Sequence, residues 1–328
     1  MSARSASSNG EAMPTVISTF AGCGGSSLGY RMAGYRELLA VEWDDNAVET
    51  FRLNFPEVPV YHGDIGKLTG KECMRLAGVA RGELDVFDGS PPCQGFSTAG
   101  KRRYDDPRNS LFKEYARLLS ELQPRAFVME NVTGMIKGHM RQAYLAIMET
   151  LRGCGYKAKG AVMNAMYFGV PQSRERVIII GVREDLGKEP SHPRPQTKPP
   201  VVKDSIGCLP IGVAGNNEPQ VINAWRKARP GQSLRKAVRY VGSFQSVRLN
   251  PFAPAPTQIK SHFHWHYLVP RHLTVMEAAV IQGFPAGFVW HGTKSSAKER
   301  IGNSVPPLLM KAIAEHIKEK ILVGKQCK

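Results

Sequence analysis

The chain has 328 residues, with 44 Lys and Arg against 28 Asp and Glu, a net charge of +16 and a pI near 9.7. A hydrophobic fraction of 42% supports a real core and excludes disorder for most of the length, while no apolar run reaches the ~18 residues of a bilayer span. The opening MSARSASSNGEAMP lacks a signal-peptide core, and six cysteines (Cys23, Cys73, Cys93, Cys154, Cys208, Cys327) without a CxxC pair exclude a zinc ribbon or a secreted disulfide framework. The expectation is a cytoplasmic protein with reduced thiols and a polyanionic partner.

In chain order, residues 1–14 read as a disordered tail. From residue 15, short β-rich apolar runs alternate with helical stretches: Thr15–Phe20, Leu38–Glu42, Val58–Tyr61, Leu84–Phe87, Ala126–Glu130 and Val177–Val182. Helices are expected over Ser110–Leu122 and Arg141–Gly153. This alternation predicts an α/β fold, a Rossmann-like, mostly parallel sheet with helices on both faces, over residues 15–189. Residues 190–270 differ. They hold 11 Lys and Arg against two acids, Asp204 and Glu218, and 12 of the 23 prolines. Proline fixes φ and removes a ladder donor, so this stretch reads as a small, irregular, β-rich inserted module. Residues 271–328 are expected to return to the first domain. Thr274 with Glu277 forms a capping box for a helix to Gln282. A last helix from near Pro306 repeats Leu309, Ile313, Ile317 and Ile321 at a four-residue spacing, an apolar stripe that must pack on something earlier.

Phe20-Ala21-Gly22-Cys23-Gly24-Gly25 follows the first strand and opens a helix, so the backbone can turn tightly and bring a ligand to the helix N-terminus. Glu42, 20 positions after Gly22, ends the second strand where a carboxylate can accept two ribose hydroxyls, and Asp64 follows the third. NAD(P) and S-adenosylmethionine both fit such a cleft, and the glycines do not separate them. The fourth strand does, because it ends in Asp88-Gly89-Ser90-Pro91-Pro92-Cys93-Gln94, a stiff double proline just before a cysteine placed as a nucleophile would be.

Taken together these residues resemble the cytosine-C5 DNA methyltransferase family of bacterial and phage type, in the family's own motif order. Phe20–Gly25 resembles the first motif, Glu42-Trp43 the second, Gly63-Asp64-Ile65 the third and Pro91-Pro92-Cys93-Gln94 the catalytic one. Glu130-Asn131-Val132 and the QxRxR signature Gln172-Ser173-Arg174-Glu175-Arg176 follow. Arg271–Thr274 with Glu277 and Gln282-Gly283-Phe284-Pro285 resemble the ninth motif, and Gly302-Asn303-Ser304-Val305-Pro306 the tenth.

The resemblance implies a DNA (cytosine-5-)-methyltransferase that uses S-adenosyl-L-methionine and releases S-adenosyl-L-homocysteine. Cys93 would attack carbon 6 of a flipped cytosine, so that carbon 5 becomes nucleophilic; a thiol with a pKa of about 8.5 needs cationic or helix-dipole help to ionise. Glu130 would meet the ring nitrogen at position 3 as a buried carboxyl. Arg176, and with it Arg174, would bind the ring carbonyl oxygen through a guanidinium fork. The cofactor would contact Phe20, Ala21, Gly22, Cys23, Gly24, Gly25, Glu42, Trp43, Asp64, Ile65, Pro92, Leu111, Asn303, Ser304 and Val305.

Double-stranded DNA is the implied partner. Gln94, Ser97, Lys101, Arg102 and Arg103 belong to a basic segment after Cys93 suited to closing over a flipped base. Residues 190–270 occupy the position of the family's target-recognition region, where Arg226, Lys227, Arg229, Arg235, Lys236 and Arg239 can neutralise phosphates and Pro256-Thr257 resembles its anchoring element. The implied enzyme is a monomer associated with the nucleoid, and a separately acting restriction endonuclease is compatible with it. His262, His264 and His266 alternate as zinc ligands can, but the family calls for no metal, and none is assigned. Two other readings stay open. One is tRNA cytosine-5 methylation, although the CFT-type signature of that branch is absent. The other is an inactive DNA-binding subunit, against which intact Cys93, Glu130 and Arg176 speak.

Overall fold

Strands and helices alternate through the first half of the computed structural model, which describes residues 12–92, 108–138, 140–211, 218–238, 246–261 and 263–323. The strands are β1 Thr15–Thr19, β2 Arg36–Glu42, β3 Val60–His62, β4 Val86–Gly89, β5 Ala126–Val132, β6 Tyr156–Asn164 and β8 Glu175–Arg183. Their order in the sheet is β3-β2-β1-β4-β5-β8-β6. Helices α1 Gly25–Met32, α2 Asp45–Asn54, α3 Gly70–Ala77, α4 Arg108–Leu122 and α5 Met140–Gly153 lie between them in sequence. The apolar runs explain the central strands: β5 is buried along six consecutive residues, as a strand covered on both faces must be.

The chain order reverses between β1 and β4, which opens a crevice at their carboxyl ends. The loop after β1, Glu42 at the end of β2, Pro91-Pro92 after β4 and Glu130 near the end of β5 all lie on that side of the sheet, because β1 to β5 run parallel. β8 departs from an all-parallel sheet. It pairs antiparallel with β5, Glu130 opposite Ile178 and Val132 opposite Arg176. β6, a strand the apolar runs do not announce, ends the order next to β8.

Two compact units divide the chain: Met1–Met163, Glu175–Arg194 and Met310–Lys328 form the first, and Asn164–Arg174 with Pro195–Leu309 the second. Residues 271–309, expected to return to the first unit, cluster with the second. In the first unit, Phe87, Tyr115, Phe127 and Tyr156 interlock as edge-to-face and stacked pairs in one core cluster. The last helix, α11 Pro307–Ile317, continues as a π-helical turn over Lys318–Leu322, and Leu309, Ile313, Ile317 and Ile321 are all buried as their spacing implies. Burial of each such side chain stabilises by about 2 kcal/mol. Tyr35 donates its hydroxyl to the Ala314 carbonyl at 2.9 Å, tying the helix to the stretch before β2.

In the second unit the expectation of a β-rich module is corrected. Among the described residues of 190–270 there are three short helices, α6 Val202–Ile206, α7 Pro219–Lys227 and α8 Leu234–Ala237, and one two-residue strand, β9 Ala255–Pro256. β9 pairs in parallel with β7 Gln172–Ser173, and isolated bridges join Ser233 to Val247, Arg248 to Trp265 and Trp265 to His272. The prolines interrupt ladders but start helices: Pro219 opens α7, where its missing N–H costs nothing. Ser233 caps α8. Ala224, Trp225, Ala228, Leu234 and Trp265 make a small core of their own, and the Arg248 guanidinium stacks 3.8 Å over Trp225. The unit also holds α9 Val275–Gln282, with the expected capping box, and α10 Lys294–Asn303.

Candidate active site

The loop between β1 and α1 is built for close approach. Gly24 sits at φ +90°, and a Cβ there would lie 2.4 Å from the Phe55 ring, so no other residue fits. Gly22, at φ +56°, faces open space. Glu42 fastens the loop to β2: one carboxylate oxygen accepts the Gly22 N–H at 2.7 Å, and the other accepts those of Trp43 at 2.8 Å and Asp44 at 3.0 Å. Trp43 beside it is 77% exposed, its ring open for stacking. Asp64 is exposed and caps the short 3-10 turn at Ile65 by accepting the Gly66 N–H at 2.9 Å. Cys23 and Ile65 are buried, whereas Phe20, Pro92 and Leu111 are half-buried.

The second group of residues meets at β5 and β8. The Glu130 carboxylate pairs with the Arg176 Nε at 2.8 Å, both side chains being nearly enclosed. The pair exists because β8 is antiparallel, which puts the start of that strand beside the carboxyl end of β5. Arg176 Nη1 also donates to the Glu175 carbonyl at 2.7 Å, which fixes the fork in one orientation. Asn131, to which sequence reasoning gave no task, donates its side-chain amide to the Pro91 carbonyl at 3.0 Å and accepts the Val132 N–H at 2.9 Å. It holds the double proline that leads to Cys93.

Cys93, Gln94, Ser97, Lys101, Arg102, Arg103, Arg239 and His262 lie outside the described residues. Asn303, exposed, Ser304, half-buried, and Val305, buried, belong to the second unit.

Arg174 corrects an expectation. The resemblance pairs it with Arg176 as a base-binding arginine, but it is 1% exposed and donates to the carbonyls of Gln258 at 3.0 Å, Gly302 at 2.8 Å and Ser304 at 3.2 Å. Around it, Gln172 donates to the Gln282 side chain at 2.7 Å and accepts the Gln258 N–H at 3.0 Å. Gln282 donates to the Ser304 carbonyl at 2.8 Å. This buried polar node joins four chain segments of the second unit. Only the identity of the buried glutamines could have signalled it, and burial is not visible in sequence.

Arg226, Lys227, Arg229, Arg235 and Lys236 are exposed on α7, α8 and the turn between them. The Thr257 hydroxyl donates to the Ser173 carbonyl at 2.7 Å, so it anchors the segment rather than facing outward. His264 accepts the Val247 N–H through Nδ1 at 3.3 Å and bonds the Pro256 carbonyl through Nε2 at 3.1 Å, while His266 accepts the Leu268 N–H at 3.0 Å. Both are packed structural histidines. Among the described residues no cluster of three His, Cys, Asp or Glu could hold a metal, and no helix is long and apolar enough to cross a membrane.

Residues 14–319 match the C-5 cytosine-specific DNA methylase family. The chain is 37% identical over 329 residues to the type II methyltransferase M1.HphI of Haemophilus parahaemolyticus, covering 92% of this chain and 86% of that protein. It is 32% identical to M.XorII of Xanthomonas oryzae pv. oryzae, over 93% and 84% of the two chains. Among solved structures, a putative prophage-encoded DNA modification methyltransferase from E. coli superposes with a TM-score of 0.79 at 27% identity, covering 94% of this chain and all of that one. The fold is also that of the Spodoptera frugiperda DNMT2 protein, with a TM-score of 0.66 at 18% identity over 93% of this chain and 98% of that one.

Proposed function

Because the chain belongs to the C-5 cytosine-specific DNA methylase family, we propose that it methylates carbon 5 of a cytosine flipped out of duplex DNA, with Cys93 as the nucleophile. The observation that carries this reading is the Glu130–Arg176 pair, 2.8 Å apart at the carboxyl end of the sheet, beside the Pro91 carbonyl that Asn131 holds.

The Cys93 thiolate adds to carbon 6 of the ring, and the displaced π electrons make carbon 5 an enamine carbon. Glu130 meets the ring nitrogen at position 3, where charge builds up, and Arg176 holds both Glu130 and the ring carbonyl oxygen. A buried pair of this kind needs no reorganisation as the charge develops. A base then removes the proton from carbon 5, the electrons re-form the ring double bond, and the sulfur of Cys93 departs from carbon 6.

S-adenosylmethionine would supply the methyl group as an electrophile to carbon 5. The residues fit it: Gly22 leaves open space above the loop, the Trp43 ring is free for an adenine, and the Glu42 oxygens keep acceptor capacity for ribose hydroxyls beyond the three N–H groups they hold. The exposed cations of α7 and α8 carry the duplex through its phosphates, and the second unit serves as the recognition element. A companion restriction endonuclease fits this reading, since relatives are type II methyltransferases.

Duplex DNA containing 5-fluorocytosine tests the reading, because fluorine cannot leave carbon 5 as a proton does. Incubation with S-adenosylmethionine should yield a covalent complex that survives denaturation with the wild type and disappears in Cys93→Ser. A complex retained in Cys93→Ser removes Cys93 from the mechanism.

A further inference from the structure

Two carboxyls lie under the helix that continues from the glycine loop, and neither takes part in the chemistry above. Asp88, in β4, is 3% exposed and accepts the Tyr30 hydroxyl at 3.3 Å and a hydrogen bond from Ser26. Glu37, near the start of β2 and partly open to solvent, accepts the Ser27 hydroxyl at 2.9 Å. All three donors are on α1, which starts at Gly25 directly after the cofactor loop. The first two turns of α1 therefore rest on carboxyls from β4 and β2, the strands on either side of β1.

Among the described residues, the titratable groups whose charges bear on Asp88 are acids. They are Tyr30 on α1, Glu37 on β2, Glu130 on β5 and Tyr115 on α4. Glu37 has Arg31 of α1 as its cation, countered by Glu57. Burial first, then the Glu37 and Glu130 carboxylates, push Asp88 up to about 8 against the hydrogen bonds from Ser26 and Tyr30. Burial likewise pushes Glu37 up to about 7. An ionised Asp88 is a buried charge held only by the Ser26 and Tyr30 donors among acidic neighbours, and admitting water between α1 and β4 relieves it, whereas Glu37 has Arg31 and solvent to meet its charge.

We propose that Asp88 is a positioning residue that seats α1, and with it the Gly22–Gly25 loop, for the cofactor only while its carboxyl holds a proton. The proposal rests on the cofactor reading above. Neutral Asp88 accepts from Tyr30 and Ser26 and keeps α1 against β4. Ionised Asp88 favours a displaced α1, so the loop loses the geometry in which Gly22 and Glu42 are joined. Asp88 touches neither cofactor nor base.

The test is calorimetric titration of the full-length protein with S-adenosylhomocysteine from pH 6.5 to 9.5, in the wild type, Asp88→Asn and Glu37→Gln. Wild-type affinity should be level below pH 7.5 and fall by about tenfold per pH unit above the Asp88 pKa until the displaced state is fully populated. Asp88→Asn, neutral throughout, should bind as the wild type does at pH 7 and lose less than about threefold over the same range. Glu37→Gln removes a negative neighbour of Asp88, so the wild-type loss should move to lower pH. The α-amino group of the ligand titrates alike in every arm and cancels in the ratio of wild type to variant. A merely structural Asp88 would change affinity equally at every pH. The proposal is overturned by a level wild-type profile, by an Asp88→Asn profile that falls with the wild type, or by an unmoved midpoint in Glu37→Gln, the arm that decides if Asp88→Asn does not fold. A wild type that binds at no pH refutes the cofactor reading itself.

Discussion

Arg174 and Arg176 stand two positions apart in one signature, and the structure predicts opposite consequences for losing them. Truncation of Arg174 to alanine leaves the carbonyls of Gln258, Gly302 and Ser304 without their buried donor. Hydrogen bonds from a charged group contribute about 1.5–3 kcal/mol each. Two bonds at 2.8–3.0 Å and a longer one at 3.2 Å thus bring the cost to about 4–6 kcal/mol, a large share of the ~5–15 kcal/mol that holds a domain together. Arg174→Lys offers one ammonium to three diverging acceptors and should recover about a third of that.

Arg176→Ala should behave differently. Its side chain, though nearly enclosed, makes one ion pair, to Glu130, and one bond to the adjacent Glu175 carbonyl, so the fold should lose about 2–3 kcal/mol, while the carboxyl proposed to meet the base loses its orientation. A transition-state loss of about 3 kcal/mol corresponds to roughly 100-fold in kcat/KM. Urea titrations followed by tryptophan fluorescence give the first quantity, and methyl incorporation into duplex DNA gives the second. Equal destabilisation by Arg174→Ala and Arg176→Ala, or a stable but inactive Arg174→Ala protein, would refute the division of labour.

Two further outcomes follow from the second unit. Burial alone would raise Glu277, but Arg271, bonded to both of its oxygens at 2.8 Å, and the capping bond from Thr274 outweigh it and hold the carboxyl below its usual range. A depressed pKa contributes stability that is fully present above the unfolded value of about 4.3 and is lost as pH falls through the folded value. Glu277→Gln should therefore lower the urea midpoint at pH 7 by the equivalent of about 3 kcal/mol and flatten its fall between pH 5 and pH 3, and an unchanged acid limb would contradict the pairing. Replacing Arg226, Lys227, Arg229, Arg235 and Lys236 with alanine should weaken DNA binding on all sequences alike and make the plot of log Kobs against log salt shallower by up to about 4, at roughly 0.9 per phosphate contact; a filter-binding series from 50 to 300 mM salt that leaves the slope unchanged would move the duplex elsewhere.

Local signals were legible wherever a single element carries its own pattern. Thr274 and Glu277 cap α9 as their spacing requires, and the Leu309–Ile321 stripe is buried over its whole length. β6 was not legible, because Tyr156-Lys157-Ala158-Lys159-Gly160 mixes lysines and a glycine into an end strand that is only half-covered. The proline-rich segment is helical where its composition implies strands, because the same prolines that deny ladders also start helices, as Pro219 does. His264 and His266 alternate like metal ligands, and only their bonds to the Pro256 carbonyl and the Leu268 N–H reveal packing roles.

By itself the sequence determined the kind of chemistry: a glycine loop, an acid ending the second strand, a double proline before Cys93 and the Glu130 signature are each local, and each restricts the backbone or the charge at its own position. Tertiary structure decided which of these groups meet. Strand direction is one example, since nothing in Glu175–Arg183 states whether it runs parallel or antiparallel, yet only the antiparallel choice sets Arg176 beside Glu130. The fates of Arg174 and Asp88 are others, because burial among carbonyls or beneath a helix is a property of segments distant in the chain. Side-chain chemistry is written residue by residue, whereas partnership and solvation arise only when the chain has closed on itself.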